Sequence, residues 1–272
     1  MRLGCKQSCE ANELSPEDGI FGFVWQRDTF ILVKERLSFN VDEVTFLSLE
    51  MQASKDIMKK PEKTLAEAIA GRRSTPSFDG SPVPPEDLKQ IIQAGLSAPS
   101  GYNMQPWRFI VVQSPEQKKR LRAASYNQAK VEEASAVIVA CGDADGWRKD
   151  LDLMLQQGLE GGMPESYAAQ AKSSVPNYLS SFSSDKMHGW LNKQVMLAFS
   201  FMLLTAETLG YDTAPMEGFE QDKVHEVLRL PLSYWTVALL AIGHLKGADK
   251  FYGGRFNNAH TVFSEEFGKP LK

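Results

Sequence analysis

A short basic segment contains residue types that could hold a phosphate group. Arg72, Arg73 and Ser74 are consecutive and directly follow a predicted helix. Arginine forks match phosphate oxygens in a bidentate manner, and a serine hydroxyl adds a directed hydrogen bond. Taken alone, the pattern is also typical of a solvated helix end, where basic side chains interact favourably with the helix dipole. An anion site and a solvated helix end both remain open on these residues alone.

A second segment, residues 98–107, could face a flat heteroaromatic ligand. It is rich in Asn, Gln, Pro and Gly and lies between a predicted helix and a predicted strand. Small residues let the backbone approach a ligand closely, and amide side chains both donate and accept hydrogen bonds. We interpret it as a ligand loop. The alternative is a tight loop that places Trp107 in the core.

Several common catalytic and binding motifs are absent. The sequence contains no P-loop, no G-x-G-x-x-G turn and no G-x-S-x-G elbow. The four histidines are scattered, and Cys5 and Cys9 have no second pair that could complete a zinc site. We therefore expect no metal, and we interpret these cysteines as free thiols.

The order of the motifs resembles that of the FMN-dependent nitroreductase family. The resemblance runs from residue 64 to about residue 256 and leaves residues 1–50 uncovered. The matching stretches are Arg72-Arg73-Ser74, Pro99-Ser100-x-x-Asn103-x-Gln105-Pro106-Trp107-x-Phe109, Asn127-x-x-Lys130, Pro215-x-Glu217-Gly218-Phe219, and Gly243-His244 followed by Arg255.

The resemblance implies an FMN site assembled from most of these stretches. Arg72, Ser74 and Arg255 match the phosphate-binding positions of the family, with Arg73 alongside. A second set matches the loop that reaches the flavin of the partner subunit, and it consists of Pro99, Ser100, Gly101 and Asn103.

The flavin ring system has its own matching positions. Asn127 and Lys130 match residues at the pyrimidine edge, where a lysine would stabilise the anionic reduced flavin. Glu217 and Gly218 match the segment whose backbone faces the reactive N5. We name no catalytic side chain, because the family's chemistry takes place on FMN N5. Pro76 departs from the pattern, since many relatives carry a basic residue there.

The resemblance also implies a fold and an activity. The expected fold is α+β, a nitroreductase-like FMN-binding α/β sandwich that forms an interlocked homodimer. The expected reaction is ping-pong hydride transfer from NADH or NADPH through FMN to a nitroaromatic, quinone or enone acceptor. The alternatives are a reductive dehalogenase or flavin-fragmenting enzyme on the same fold, and a non-catalytic flavin-binding or redox-sensing protein.

Composition excludes some partners and divides the chain. With 30 Lys+Arg and 34 Asp+Glu in 272 residues, the formal charge of -4 gives no basic field for nucleic acid. Residues 1–50 hold five of the basic and nine of the acidic residues. We predict an N-terminal extension of uncertain status over 1–50 and the FMN-binding domain over 51–272. One hypothesis is that the functional chain starts near Met51.

The predicted location is the cytoplasm. Three cysteines leave one unpaired, no N-glycosylation sequon occurs, and the first residues do not read as a secretory signal. The longest apolar run, near Val195 to Leu204, contains Ser200 and is shorter than the roughly 20 residues that a membrane span needs. We interpret it as a buried helix rather than a membrane anchor.

The positioning elements are predicted to be an alternation of helices and strands. Gly161 to Asp185 is predicted to be irregular and is our candidate for a substrate-gating lid with Tyr167, Tyr178 and Phe182. Parallel or antiparallel pairing stays open. The predicted strands are 20–25, 30–33, 109–112, 136–141 and 237–242, and the main predicted helices are 84–96, 115–124, 147–159, 190–209 and 221–228.

Overall fold

The chain divides into two units, Met1–Ser54 and Lys55–Lys272. The computed structural model describes residues 23–26, 29–32, 59–248 and 252–271. In the first unit, the described part is an antiparallel pair of strands, β1 (Phe23–Gln26) and β2 (Thr29–Leu32). The predicted strand pair is thereby confirmed. The predicted boundary after residue 50 and the hypothesis of a start near Met51 lie outside the described residues.

The second unit alternates helices and strands. In chain order its elements are α1 (Leu65–Gly71), α2 (Pro85–Leu96), a 3-10 turn (Gly101–Asn103), β3 (Trp107–Val112), α3 (Pro115–Ala124), α4 (Ala129–Glu133), β4 (Ala136–Asp143), α5 (Gly146–Lys149), α6 (Leu151–Glu160), α7 (Glu165–Ser180), α8 (Ser184–Thr208), β5 (Asp212–Met216), α9 (Gln221–Leu228), β6 (Tyr234–Gly243) and α10 (Asn258–Thr261).

The four strands of this unit form one antiparallel sheet in the order β3-β4-β6-β5. All eight residues of β4 are buried, as expected for an apolar strand covered on both faces. Val139 of β4 lies opposite Ile110 of β3 and Leu239 of β6. The pairing that the sequence left open is therefore antiparallel.

Helices cover both faces of the sheet. Alternate residues of β4 point to opposite faces, so Ile138 packs with α2 and α8, whereas Val139 packs with α3, α4 and α9. The result is an α+β sandwich, as predicted. The long helix α8 lies across one face and carries buried residues along most of its length. On α8, Gln194 accepts a hydrogen bond from the Gly101 backbone N–H and Glu207 accepts one from the Thr213 hydroxyl.

Two predictions before and within the long helix are wrong: one segment predicted to be irregular is helical, and the long helix begins earlier than predicted. Gly161 to Asp185 is not irregular, because α7 occupies most of it and packs Val175 and Leu179 into a third apolar cluster. Its serines and the interior Pro176 disfavour a helix locally, and tertiary packing overrides them. The helix predicted over 190–209 begins at Ser184, where the hydroxyl of Ser183 accepts a hydrogen bond from the Lys186 backbone N–H.

Other elements differ from the prediction in smaller ways. The predicted helix 147–159 is two helices, α5 and α6, separated at Asp150. The sequence analysis missed β5, α4 and α10. Gly210 follows Leu209, the C-cap of α8, with a φ of +86°, which a glycine adopts without strain.

Candidate functional site

The segment that contains Arg72 and Ser74 lies along the outer edge of β5. Ser74 forms a parallel β-bridge with Thr213, and the Thr75 backbone N–H donates to the Thr213 carbonyl oxygen at 2.9 Å. The segment follows α1 directly, and α1 begins with a capping box between Thr64 and Glu67. A capped helix and a strand pairing therefore fix the segment at both ends.

Arg72 has a buried side-chain nitrogen that lacks a partner. Its Nη1 atom is shielded from solvent and has no hydrogen-bond acceptor in the part of the chain that the structure describes. Leaving a buried donor unsatisfied costs about 1–3 kcal/mol, and more for a charged group. Such a nitrogen is expected where a ligand supplies the acceptor. The arrangement fits an anion such as a phosphate.

Glu207 is a buried acid near the end of α8, and Arg72 is among the charges that act on its carboxyl. Burial raises the pKa of the Glu207 carboxyl above its usual value, while the hydrogen bond from Thr213 and the charges of Lys63 and Arg72 act in the opposite direction. Glu207 was not predicted as a site residue. Its sequence signal would have been an acid within a largely apolar helix.

Arg73 performs a different task from its neighbour. Its Nη1 atom donates to the carbonyl oxygens of Ala70, Gly71 and Arg72 at 2.9–3.0 Å, which satisfies the C-terminal end of α1. Its guanidinium also lies 4.5 Å from the centroid of the Tyr252 ring. We interpret Arg73 as a residue that holds the helix end and the C-terminal segment rather than as a direct anion ligand.

Arg255 lies near Arg73, because both side chains are beside the ring of Tyr252. The guanidinium carbon of Arg255 lies 5.6 Å from the centroid of the Tyr252 ring, and its Nη1 donates to the Gly254 carbonyl oxygen. One tyrosine ring therefore has both Arg73 and Arg255 beside it. Arg255 therefore lies near Arg73 in the Arg72–Ser74 segment, and its predicted role at the phosphate stays a prediction.

A second group of predicted residues meets at the end of β5. Gln128 Nε2 donates to the Gly218 carbonyl oxygen at 2.9 Å, and the Glu220 backbone N–H donates to the Ala124 carbonyl oxygen at 2.8 Å. These bonds join the stretch that contains Asn127 and Lys130 to the stretch that contains Glu217 and Gly218. Asn127 has a φ of +55°, a left-handed conformation that asparagine tolerates.

The backbone at Gly218 makes a close approach. A Cβ atom built at Gly218 would lie 3.0 Å from Gln128 Nε2, so a larger residue would push this contact apart. Gln128 was not predicted, although it lies between Asn127 and Lys130. Its amide offers both a donor and an acceptor, which is the signal that could have identified it.

Strand β5 connects the two groups. Thr213 pairs with Ser74, and Glu217 follows the last residue of β5. Four residues of extended chain span about 13 Å. The cationic group and the group around Gly218 are therefore spaced for an elongated ligand with an anionic end.

The loop with Pro99, Ser100, Gly101 and Asn103 lies elsewhere in the molecule. The Gly101 backbone N–H donates to Gln194 Oε1 at 2.7 Å, and Ser100 Oγ accepts from the Gln105 backbone N–H at 2.9 Å. Gln194 and Glu207 are 13 residues apart on α8, which corresponds to about 20 Å. The structure does not bring this loop to Arg72 within one chain.

The loop instead meets the aromatic residues of the proposed lid. Tyr102 contacts Tyr178 edge-on with ring centroids 5.8 Å apart, and Tyr178 contacts Phe182 at 4.9 Å. Lys186 lies 4.0 Å from the Phe182 ring centroid. Trp107, at the end of the loop, is buried in the core, so the loop also has the structural role left open by the sequence.

Two kinds of feature are absent from the residues that the structure describes. No group of three or more His, Cys, Asp or Glu side chains among them could hold a metal ion. None of the described helices is both long and apolar enough to cross a membrane.

The comparisons with known proteins identify relatives of this chain. The Nitroreductase family model matches residues 69–244. A Thermus thermophilus protein named NADH dehydrogenase is 34% identical over 177 residues, which cover 65% of this chain and 84% of the relative. A Bacillus subtilis protein described as the NAD(P)H nitroreductase YdgI is 32% identical over 195 residues, which cover 68% and 90%.

A solved structure shows the same likeness in three dimensions. A protein from Exiguobacterium sibiricum, described as a nitroreductase in complex with FMN, superimposes with a TM-score of 0.67 at 28% identity. The match covers 74% of this chain and 96% of that one. The family match spans more than half of the chain and includes Arg72, Ser74 and the group around Gly218, while Arg255 lies beyond its end. By sequence and by fold, this chain belongs to the nitroreductase family.

Proposed function

We propose that the chain is an NAD(P)H-dependent oxidoreductase with FMN as its cofactor. The observation that carries the proposal is the buried Nη1 atom of Arg72, two positions before Ser74, which has no acceptor among the described residues. The relatives named NADH dehydrogenase and NAD(P)H nitroreductase support this reading, as does the neighbour solved with FMN.

The residues at the two ends of β5 would hold opposite ends of the cofactor. Arg72, Ser74 and Arg255 would bind the phosphate, whose charge of roughly -2 would satisfy the buried guanidinium. At the other end, Glu217 and Gly218 would lie against the reactive edge of the flavin ring. The absence of a side chain at Gly218 permits this close approach.

Asn127 and Lys130 would recognise the pyrimidine edge of the flavin. The Gln128–Gly218 hydrogen bond fixes both stretches relative to each other. A lysine at this edge favours negative charge on the ring through electrostatic stabilisation. Pro76 is exposed and offers no donor there, so Lys130 would be the main cation at that edge.

The remaining predicted residues would act across a homodimer interface. The loop with Pro99, Ser100, Gly101 and Asn103 is bonded to Gln194, about 20 Å along α8 from Glu207, which is bonded to Thr213 beside Ser74. In a symmetric dimer, a loop this far from its own site can reach the site of the partner. Exposed apolar residues on α8 and α1 support such an interface, and they are Leu65, Ile69, Leu197 and Phe201.

Bound FMN would supply the redox chemistry, accepting hydride from NADH or NADPH and passing it to a nitroaromatic, quinone or enone. The protein would bind and orient both substrates in turn on one face, which gives ping-pong kinetics. Tyr178 on α7 and Phe182, which lies just after α7, would line the entrance as a substrate-gating lid. Exchanging α7 should therefore change acceptor preference.

The first test is the visible absorption spectrum of the purified protein before and after anaerobic addition of NADH or NADPH. We expect flavin bands that bleach at a rate compatible with turnover, followed by reoxidation when an acceptor is added. Bands that persist would favour the flavin-binding or redox-sensing alternative. No flavin, even after FMN is added, would contradict the assignment of Arg72, Ser74 and Arg255.

Product analysis separates the enzymatic alternatives. Reduced nitro, quinone or enone products would support the proposed reaction, whereas release of halide or loss of the flavin itself would favour dehalogenation or fragmentation.

The odd number of cysteines and the buried, free thiol of Cys141 suit the reducing cytoplasm in which we expect the enzyme to work. We also propose, as predicted from the sequence, that residues 1–50 form an N-terminal extension and that residues 51–272 form the FMN-binding domain.

A further inference from the structure

Thr213 connects three parts of the fold. Its backbone pairs with Ile242 of β6 on one side and with Ser74 on the other. Its side-chain hydroxyl donates to Glu207 Oε1 at 2.7 Å, and the residue is 0% exposed. The segment that contains Arg72 is therefore linked through one residue both to the sheet and to helix α8.

Burying a glutamate at position 207 costs folding free energy. It is 4% exposed, and burial disfavours its charged form. It also lies in the last turn of α8, where the helix dipole disfavours a negative charge, and Asp212 opposes ionisation further. A well-packed apolar residue would serve stability as well or better. A carboxylate at this position needs a reason other than stability.

The contacts of the carboxylate supply that reason. Its hydrogen bond fixes the Thr213 side chain, and the Thr213 backbone holds the strand formed by Ser74 and Thr75. No ion pair joins the Glu207 carboxyl to Arg72 among the described residues, and the charge of Arg72 makes only a small contribution to lowering the pKa of Glu207. Arg72 keeps a buried nitrogen without an acceptor among the described residues. The acid therefore braces the segment without using up this donor.

We infer that Glu207 and Thr213 are positioning residues that hold Arg72 and Ser74 in the conformation that binds the cofactor phosphate. The inference rests on the proposed function, because it takes FMN as the ligand. The pair acts only through the segment and does not touch the cofactor. A positioning role of this kind affects the phosphate end of the ligand and leaves the ring end unchanged.

The test compares FMN with riboflavin, which has the same ring system and no phosphate. The apoprotein is titrated with each ligand, and the ratio of the two dissociation constants is measured for wild type and variants. Thr213→Val keeps the shape of the side chain and removes the hydroxyl, while Glu207→Leu removes the acceptor. In both variants we expect the preference for FMN to fall about tenfold, the effect of one buried hydrogen bond, with riboflavin binding unchanged.

Two further variants make the result specific. Glu207→Gln retains an oxygen that can accept the Thr213 hydroxyl, so it should keep a preference for FMN near that of wild type. Tyr211→Phe is the matched control, because it removes another buried hydrogen bond between a hydroxyl and an acid, that of Tyr211 with Asp87. That pair makes no contact with the Arg72–Ser74 segment in the described hydrogen bonds, and the ratio should not change.

The outcomes distinguish failure of the inference from failure of the proposed function. If wild type binds FMN no better than riboflavin, the phosphate site itself is wrong and the proposed function fails. If wild type prefers FMN and both Thr213→Val and Glu207→Leu keep the full preference, the positioning role is overturned. Equal loss of both ligands would also overturn it, because that result indicates a general structural role. Glu207→Leu keeps the test available if Thr213→Val does not fold, since an apolar replacement of a buried acid is usually tolerated.

Discussion

At the scale of single residues, two adjacent arginines have different environments. Arg73 uses one nitrogen to satisfy three carbonyl oxygens at the end of α1, whereas Arg72 leaves a buried nitrogen without an acceptor among the described residues. Identical side chains next to each other in sequence therefore make different contributions. The sequence could not distinguish them, because the difference depends on which carbonyl oxygens the fold brings within reach.

We predict that Arg72→Ala and Arg73→Ala have separable effects. Arg72→Ala should weaken FMN binding about 10- to 100-fold relative to riboflavin, since hydrogen bonds to charged groups contribute about 1.5–3 kcal/mol. Arg73→Ala should instead lower the free energy of unfolding by about 1 kcal/mol, because the end of α1 loses its side-chain donor. Fluorescence titration and urea denaturation measure the two effects. A larger loss of FMN preference in Arg73→Ala than in Arg72→Ala would reverse the assignment.

The buried acid Glu207 predicts a pH dependence of stability. Burial raises its pKa above the usual value of 4.5, so the folded protein binds this proton more tightly than the unfolded chain. The contribution of Glu207 to stability is therefore fully present below pH 4.5 and is lost as the pH rises through the folded pKa. Glu207→Gln removes this loss, and its stability relative to wild type should increase between pH 4.5 and neutral pH.

Urea denaturation at several pH values measures this difference. Glu226→Gln is the control, because it makes the same chemical change at an exposed position. A constant difference between Glu207→Gln and wild type across the pH range would contradict the prediction. The same outcome for both variants would show that the effect comes from net charge rather than from burial.

At the scale of elements, local signals predict helix ends well where the end is determined locally. Helix α3 was predicted to the residue, since Pro115 stands at its first position and the Ser114 hydroxyl accepts a hydrogen bond from the Gln117 backbone N–H. Helix α9 was also predicted to the residue and ends before Arg229, which adopts a left-handed conformation. In both helices the stop or start depends on neighbouring residues only.

Elements that depend on distant contacts were missed or misjudged. Strand β5 contains Pro215, and proline normally argues against a strand, yet β5 is an edge strand where proline is tolerated. Helix α7 contains Pro176 and several serines, and its stability comes from packing against α6 and α8. Neither form of support can be read from a local pattern.

The same limit applies to the candidate site. The sequence resemblance identified the segments around Ser74, Asn127 and Gly218, because each carries a short motif. It did not identify Gln128, Thr213 or Glu207, which act through contacts with residues far along the chain. Their functional meaning depends on the fold that brings the segments together.

The C-terminal segment supplies the next prediction. Tyr252 lies beside both Arg73 and Arg255, and cation–π contacts at exposed sites contribute about 0.5–1 kcal/mol each. Tyr252→Ala should therefore release Arg255 and weaken FMN binding about two- to fivefold, with little effect on riboflavin. Tyr252→Phe keeps the ring and should bind FMN like wild type. Equal effects of the two variants would point to the tyrosine hydroxyl and contradict a role for the ring.

At the scale of the whole molecule, one chain does not bring all of the predicted site residues together. The proposed phosphate-binding residues lie near the C-terminal end of α8, whereas the loop with Gly101 is bonded to Gln194 near its middle. Between them, α8 exposes Leu197 and Phe201, four residues apart and so on one face of the helix. An apolar stripe between two parts of a site is the arrangement expected if a second copy covers the stripe and supplies the missing loop.

Phe201→Glu tests this arrangement directly. In a symmetric dimer the change occurs twice, so the loss of two buried phenylalanine side chains would cost about 4 kcal/mol and weaken dimerisation at least about 1000-fold. We expect analytical ultracentrifugation to show a monomer that has also lost FMN, because the loop of the partner no longer reaches the flavin. Leu232→Glu is the control, since Leu232 is 100% exposed and lies outside α8, and this variant should remain dimeric with its FMN. A Phe201→Glu protein that stays dimeric and retains FMN would place the interface elsewhere, whereas a monomer that retains FMN would show that one chain is sufficient for cofactor binding.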